Sequence, residues 1–102
     1  MRSRRVVFSA AARRDVAEAV AFVARDDAGA AGRLRDRLVS ASRRLGEFPD
    51  LGRGGVPGGD GSRRTFAVPG TPHRLVYRAD AGTVTILRVW HGARQWPPSD
   101  ES

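Results

Sequence analysis

Cysteine and lysine are both absent from this chain, and each absence excludes a kind of chemistry. Without cysteine there is no disulfide, no thiolate nucleophile and no cysteine-type zinc site. The only two histidines, His73 and His91, are well separated in sequence, so we expect no metal site and no cofactor. Without lysine, a general base must be a histidine or a carboxylate, because arginine keeps its proton up to a pH of about 12.

Long apolar runs are also missing. A membrane-spanning helix needs about 20 mainly apolar residues, and every apolar run in this sequence is far shorter. The basic start of the chain has no apolar signal-peptide core, since charged residues return at Arg13. We therefore expect a cytoplasmic protein without membrane contact.

All the positive charge comes from arginine, and it is unevenly distributed. The 102 residues include 18 arginines against 11 acids, a net charge of +7. Residues 51–98 contain seven arginines against only Asp60 and Asp80, whereas the first fifty residues carry most of the acids. A GC-rich genome would account for the choice of arginine over lysine. The excess in the second half predicts attraction to nucleic acid or to an acidic protein.

Hydrophobic spacing in the first half predicts a strand followed by two helices. Val6 to Phe8 is a short apolar run, and Ser9 is a suitable N-cap for an amphipathic helix that ends near Arg25. Asp27 is a suitable cap for a second helix. The apolar stripe of that helix consists of Ala31, Leu34, Leu38, Ala41 and Leu45. Two helices joined by so short a turn form an αα-hairpin.

The second half predicts a loop and three strands. Residues 48–61 are rich in proline, glycine and aspartate, which is typical of a loop. The segments RRTFAV, HRLVYR and TVTILRVWH follow, separated by PGTP and ADAG turns, and predict an antiparallel meander with its last strand central. The predicted fold is α+β, in the order β-α-α-β-β-β, with the αα-hairpin packed on an antiparallel sheet. Alternation leaves open which face of the last strand meets the helices.

Four fragments, in this order along the chain, resemble the ParE/RelE superfamily of bacterial type II toxins. They are FSAAARRDVAEAVAFVAR, RLVSASRRLGEFPDLGR, RRTFAV with HRLVYR, and ILRVWHGAR. The resemblance covers Val6 to about Trp96. Because the length of the chain suits one domain, we predict a single toxin domain over residues 1–98 and a disordered tail at 99–102. The resemblance also implies a cognate antitoxin, which we expect to be a ribbon-helix-helix protein of the ParD kind, and oligomerisation through the toxin–antitoxin complex.

The ending HGARQWP is similar to the ParE-like branch, which acts on DNA gyrase without nuclease residues. Gln95 departs from that branch, which has an acid at this position. The alternative is a RelE-like ribonuclease that cuts messenger RNA on the ribosome, using His91 with Arg88 and Arg94. A second alternative is a non-toxic scaffold that only binds antitoxin.

We predict two kinds of binding residue and no catalytic residue. Arginine and tryptophan often dominate binding energies, so the predicted target-binding residues are Arg94, Trp96, Arg88, Arg78 and Arg74. The apolar helix stripes predict antitoxin binding at Val16, Val20, Leu34 and Leu38. Tyr77 and Trp90 are interpreted as packing residues within strands, and His91, next to Gly92, as a side chain that holds the turn.

Overall fold

The computed structural model describes residues 3–54 and 61–92. Its elements, in chain order, are β1 (Arg5–Phe8), α1 (Ala10–Ala24), α2 (Ala28–Glu47), β2 (Arg63–Ala67), β3 (His73–Ala79) and β4 (Thr83–His91). This is the predicted order, and the α+β fold is confirmed. Residues 99–102, predicted to be a disordered tail, lie outside the described residues.

Both helices begin at the predicted capping residues. The Ser9 hydroxyl accepts a hydrogen bond from the Ala12 N–H at 3.0 Å, and the Asp27 carboxylate accepts one from the Ala30 N–H at 3.0 Å. Each cap satisfies a donor that has no partner within its helix. The first helix ends at Ala24, as its hydrophobic spacing predicts.

The four strands form one sheet in the order β1-β4-β3-β2. Strands β2, β3 and β4 pair antiparallel, so the meander and the central position of β4 are confirmed. Strand β1 pairs parallel with β4, from Arg5 opposite Thr83 to Phe8 opposite Ile86. The sheet is therefore mixed, which corrects the expectation of a purely antiparallel sheet. Parallel neighbours need a long crossover, and the helices, β2 and β3 provide it.

A β-bulge decides which face of β4 meets the helices. Tyr77 lies opposite Ile86, but Val76 lies opposite Arg88, which leaves Leu87 as the extra residue on β4. Val84 and Ile86 before the bulge are fully buried, and Val89 after it is 5% exposed. The inward positions thus change from even to odd numbers along this one strand.

The core lies between the helices and one face of the sheet. It includes Leu38 and Leu45 of α2, together with Leu75, Tyr77 and Ile86 of the sheet, all fully buried. The interpretation of Tyr77 as a core residue is confirmed. Within the described residues, no helix is long and apolar enough to cross a membrane.

Candidate functional site

The C-terminal part of β4 is held by side chains from the start of α1. Strand β1 ends opposite Ile86, and α1 begins two residues later. The Ser9 hydroxyl donates to the Leu87 carbonyl at 2.8 Å, and the Val89 N–H donates to Oδ2 of Asp15 at 2.8 Å. These two side chains provide hydrogen-bond partners for the Leu87 carbonyl and the Val89 N–H. A longer β1 would otherwise have to supply them.

Asp15 also binds the guanidinium of Arg88 in a bidentate ion pair. The Nε of Arg88 lies 2.8 Å from Oδ2, and its Nη2 lies 3.1 Å from Oδ1. The two side chains are only 17% and 12% exposed. Arg88 also stands over the Trp90 ring, 5.7 Å from its centroid. The predicted target-binding arginine of β4 is therefore already engaged within the chain.

Strand pairing brings the two histidines together. His73 and His91 are direct cross-strand partners, and their rings meet edge to face with centroids 5.1 Å apart. His73 is 7% exposed, whereas His91 is half-buried. Among the residues that the structure describes, no group of three histidine, aspartate or glutamate side chains is arranged to hold a metal ion.

The histidine pair lines a groove of about 520 Å³ between the two helices and the start of β3. Ala19, Val23 and Leu34 contribute apolar surface, and Phe22 is 68% exposed. We call this the helix groove; its lining residues are Ala19, Phe22, Val23, Ala30, Arg33, Leu34, Arg37, Gly70, Thr71, Pro72, His73 and His91. Its chemistry is apolar surface with two arginines and two imidazoles.

The Phe-Pro-Asp-Leu-Gly-Arg segment after α2 is held in place by Tyr77. The Tyr77 hydroxyl donates to the Pro49 carbonyl at 2.7 Å and accepts from the Gly52 N–H at 2.9 Å. Burial raises the pKa of Tyr77 above 10.0. Arg53 then forms an isolated bridge with Thr65 of β2. Tyr77 therefore stabilises this segment through its hydroxyl, which keeps its proton at neutral pH.

Comparison with known protein families shows which family this chain belongs to. Residues 6–96 match the family described as "ParE toxin of type II toxin-antitoxin system, parDE". The chain belongs to the ParE toxin family. It is thus a toxin of a type II toxin–antitoxin system, as the sequence fragments predicted.

Two relatives and one further structure of the same fold match most of this ParE-family toxin. A putative toxin, Y4kP of Sinorhizobium fredii, is 34% identical over 97 residues, which are 95% of this chain and 97% of the relative. The structure of a RelBE2 toxin–antitoxin complex from Mycobacterium tuberculosis matches with a TM-score of 0.67 at 26% identity, covering 92% of this chain and 97% of that one. A chromosomal ParDE system from P. aeruginosa shares the fold, with a TM-score of 0.70 at 18% identity, over 85% and 94%.

The predicted target-binding residues of this ParE-family toxin occupy different surroundings. Arg74 and Arg78 are exposed on β3. Arg88 is paired with Asp15. Arg94 and Trp96 lie outside the described residues, so they stay predictions from the sequence alone.

The predicted antitoxin-binding residues differ mainly in burial. Leu38 is fully buried and Leu34 is 8% exposed, so the surface available to a partner is supplied by the residues around them. Val16 and Val20 are half-buried. The antitoxin-binding role of all four residues stays a prediction. Phe22, the most exposed of the large apolar residues described, was not singled out from the sequence.

Proposed function

We propose that this ParE-family toxin inhibits growth by engaging DNA gyrase, without catalytic chemistry of its own, and that a cognate antitoxin holds it inactive. The observation that carries the proposal is the Asp15–Arg88 ion pair. A metal-free ribonuclease needs cations for the charge that develops on the phosphate, and the arginine of β4 is already neutralised by a carboxylate. The proposal places the toxin in the cytoplasm, where gyrase acts.

We further propose the helix groove as the antitoxin-binding site. Its apolar surface around Phe22 and Leu34, flanked by Arg33 and Arg37, is complementary to an acidic amphipathic segment that orders on binding. The similar structure from M. tuberculosis is described as a toxin–antitoxin complex, which supports a partner of this class. A ribbon-helix-helix antitoxin of the ParD kind would bring several toxin copies into one assembly.

Induction of the chain in cells tests the gyrase proposal. We expect arrested growth, a DNA-damage response and intact messenger RNA, together with inhibition of gyrase by the purified chain. Co-expression of the neighbouring antitoxin gene should restore growth. Cleaved messenger RNA with normal gyrase activity would support the ribonuclease instead. Growth that is never arrested, in cells that contain the folded chain, would support the antitoxin-binding scaffold.

A RelE-like ribonuclease remains the second candidate because His73 and His91 lie side by side. Two imidazoles with centroids 5.1 Å apart are suited to an acid and a base acting on one phosphodiester. His91→Ala separates the candidates, since loss of an essential acid–base group costs roughly 100-fold or more in activity. A binding toxin should keep its toxicity in this variant, provided that antitoxin binding shows the variant to be folded.

A further inference from the structure

The four strands contain arginines but no acidic residue. Their sequences are RVVF, RRTFA, HRLVYRA and TVTILRVWH. The carboxylates that bind the sheet come from outside the strands: Asp15 of α1 binds Arg88, Asp50 of the segment after α2 binds Arg64, and Asp80 of the β3–β4 turn accepts from the Thr83 N–H. The sheet is therefore a positively charged layer whose own side chains supply no counter-charge.

Strand register places four of these arginines on the face that the helices do not cover. The inward positions are occupied by Val6, Leu75, Tyr77 and Val84, so their neighbours along each strand point outward. We call the outward set the arginine face; it consists of Arg5, Arg63, Arg74 and Arg78. Arg63 is half-buried, and the other three are exposed.

The charges of the arginine face have no compensation within the described chain. Arg63 lies directly opposite Arg78 in the β2–β3 ladder, and like charges in that relation destabilise a sheet. No hydrogen bond or ion pair joins the four guanidinium groups to another residue within 3–54 and 61–92. By contrast, Arg64 and Arg88 of the same sheet each bind a carboxylate. A bound anion would remove the repulsion.

The surface between these arginines favours a phosphate backbone over an acidic protein. Protein interfaces are built around an apolar core, but the exposed large apolar residues in the described chain are Phe22, Phe48 and Leu51, none of which is in the sheet. Single-stranded nucleic acid is held largely by stacking on aromatic rings. Trp90, the direct cross-strand partner of Arg74, shares this face, but it is half-buried and its ring is covered by the Arg88 guanidinium.

We propose that the arginine face binds the sugar–phosphate backbone of duplex DNA without reading its sequence. Arg74 and Arg78 are four residues apart on β3, a span of roughly 13 Å along a strand. This span is comparable to the major-groove width of about 12 Å, so the two side chains can reach phosphates on both sides of the groove. The biological role rests on the proposed function, since gyrase works on DNA and a toxin bound to both would be held at the enzyme. The binding of duplex DNA does not itself require that gyrase is the target.

Salt-dependent binding of the 102-residue chain to a fluorescent duplex of random sequence tests the proposal. Four phosphate contacts predict a slope of about −3.6 for the logarithm of the binding constant against that of the salt concentration. Arg74→Gln/Arg78→Gln should halve this slope, which corresponds to a loss of about 60-fold in affinity at 0.1 M salt. Arg5→Gln/Arg63→Gln should act in the same way, and provides a second test if the first variant does not fold.

Arg35→Gln/Arg43→Gln is the matched control, because it removes the same charge from exposed positions on α2. An equal loss of affinity in this control would assign binding to net charge and overturn the proposal. Tighter binding to single-stranded RNA or to polyglutamate would overturn it as well. Gyrase assays on the same variants separate the two proposals. Duplex binding through the arginine face without gyrase inhibition contradicts only the proposed function, and inhibition without such binding contradicts only this inference.

Discussion

Asp15 and Arg88, 73 residues apart in sequence, form a bidentate ion pair that joins the first helix to the central strand. The same carboxylate accepts the Val89 N–H. One side chain therefore neutralises an arginine and closes the free edge of β4 beside the histidine pair. Arg88 is thereby engaged within the chain, whereas Arg74 and Arg78 of β3 are exposed.

Asp15→Asn should destabilise the fold by about 3 kcal/mol, because it leaves a largely buried guanidinium without its counter-charge. Urea unfolding of the purified chain measures this loss. Glu18→Gln is the control, since Glu18 is an exposed acid one turn further along α1. If both variants lose the same small amount, the ion pair contributes nothing to stability.

Gly52→Ala should cost up to about 3 kcal/mol, at the upper end of overpacking effects. An added Cβ would lie 2.5 Å from the Thr65 carbonyl oxygen and 2.6 Å from the Tyr77 hydroxyl, and neither atom is at the end of a flexible side chain. Gly54→Ala is the matched control, because nothing lies within 4 Å of its Cβ. Thermal unfolding compares the two, and equal melting temperatures would show that the segment shifts freely.

Alkaline pH should destabilise the protein through Tyr77. Burial raises the pKa of Tyr77 in the folded state above the value of 10.0. Above pH 10 the unfolded chain therefore loses this proton before the folded protein does. The resulting stability is complete below pH 10 and is lost as the pH rises through the higher, folded-state pKa.

Tyr77→Phe should remove this alkaline dependence while lowering stability at neutral pH by about 2 kcal/mol, because the Pro49 carbonyl and the Gly52 N–H lose their partner. Unfolding free energies on both sides of pH 10 measure the effect. Tyr77 is the only tyrosine, so tyrosinate absorbance follows its titration directly. A parallel fall in stability for wild type and variant would assign the dependence to another group.

Phe22→Ser should weaken antitoxin binding by about 2 kcal/mol, or roughly 30-fold, as loss of an aromatic hot spot does. Phe22 is 68% exposed, so stability should change little. Phe48→Ser is a matched control, since Phe48 is 46% exposed and is covered by Arg44 much as Phe22 is by Arg25. Calorimetric titration distinguishes them; equal losses would place the antitoxin elsewhere.

Deletion of residues 94–102 should leave antitoxin binding intact and reduce toxicity strongly. The described residues that line the helix groove all precede the deletion, whereas Arg94 and Trp96, the predicted target-binding residues, are removed. Antitoxin pull-down and growth after induction measure these two expectations, and thermal melting shows whether the truncated chain is folded. A fully toxic, folded truncation would move the target surface to the described part of the chain.

Local sequence patterns determined the elements of this protein. The caps at Ser9 and Asp27 and the helical spacing between them depend on contacts within a few residues, so they can be read from short windows. The same holds for the alternation that buries Leu75 and Tyr77. The order of these elements, together with the four fragments, was enough to predict the fold and the family.

Tertiary structure decided how the functional side chains meet, because a single bulge resets the register of β3 and β4. Near the turn, Ala79 lies opposite Val84; continued without the bulge, that register would place His73 opposite Trp90. The extra residue, Leu87, instead brings His73 to His91. The parallel pairing of β1 similarly carries α1, and with it Asp15, to the edge of β4. Both are pairings between distant segments, whose energy comes from burial and strand contacts that no short window of sequence contains.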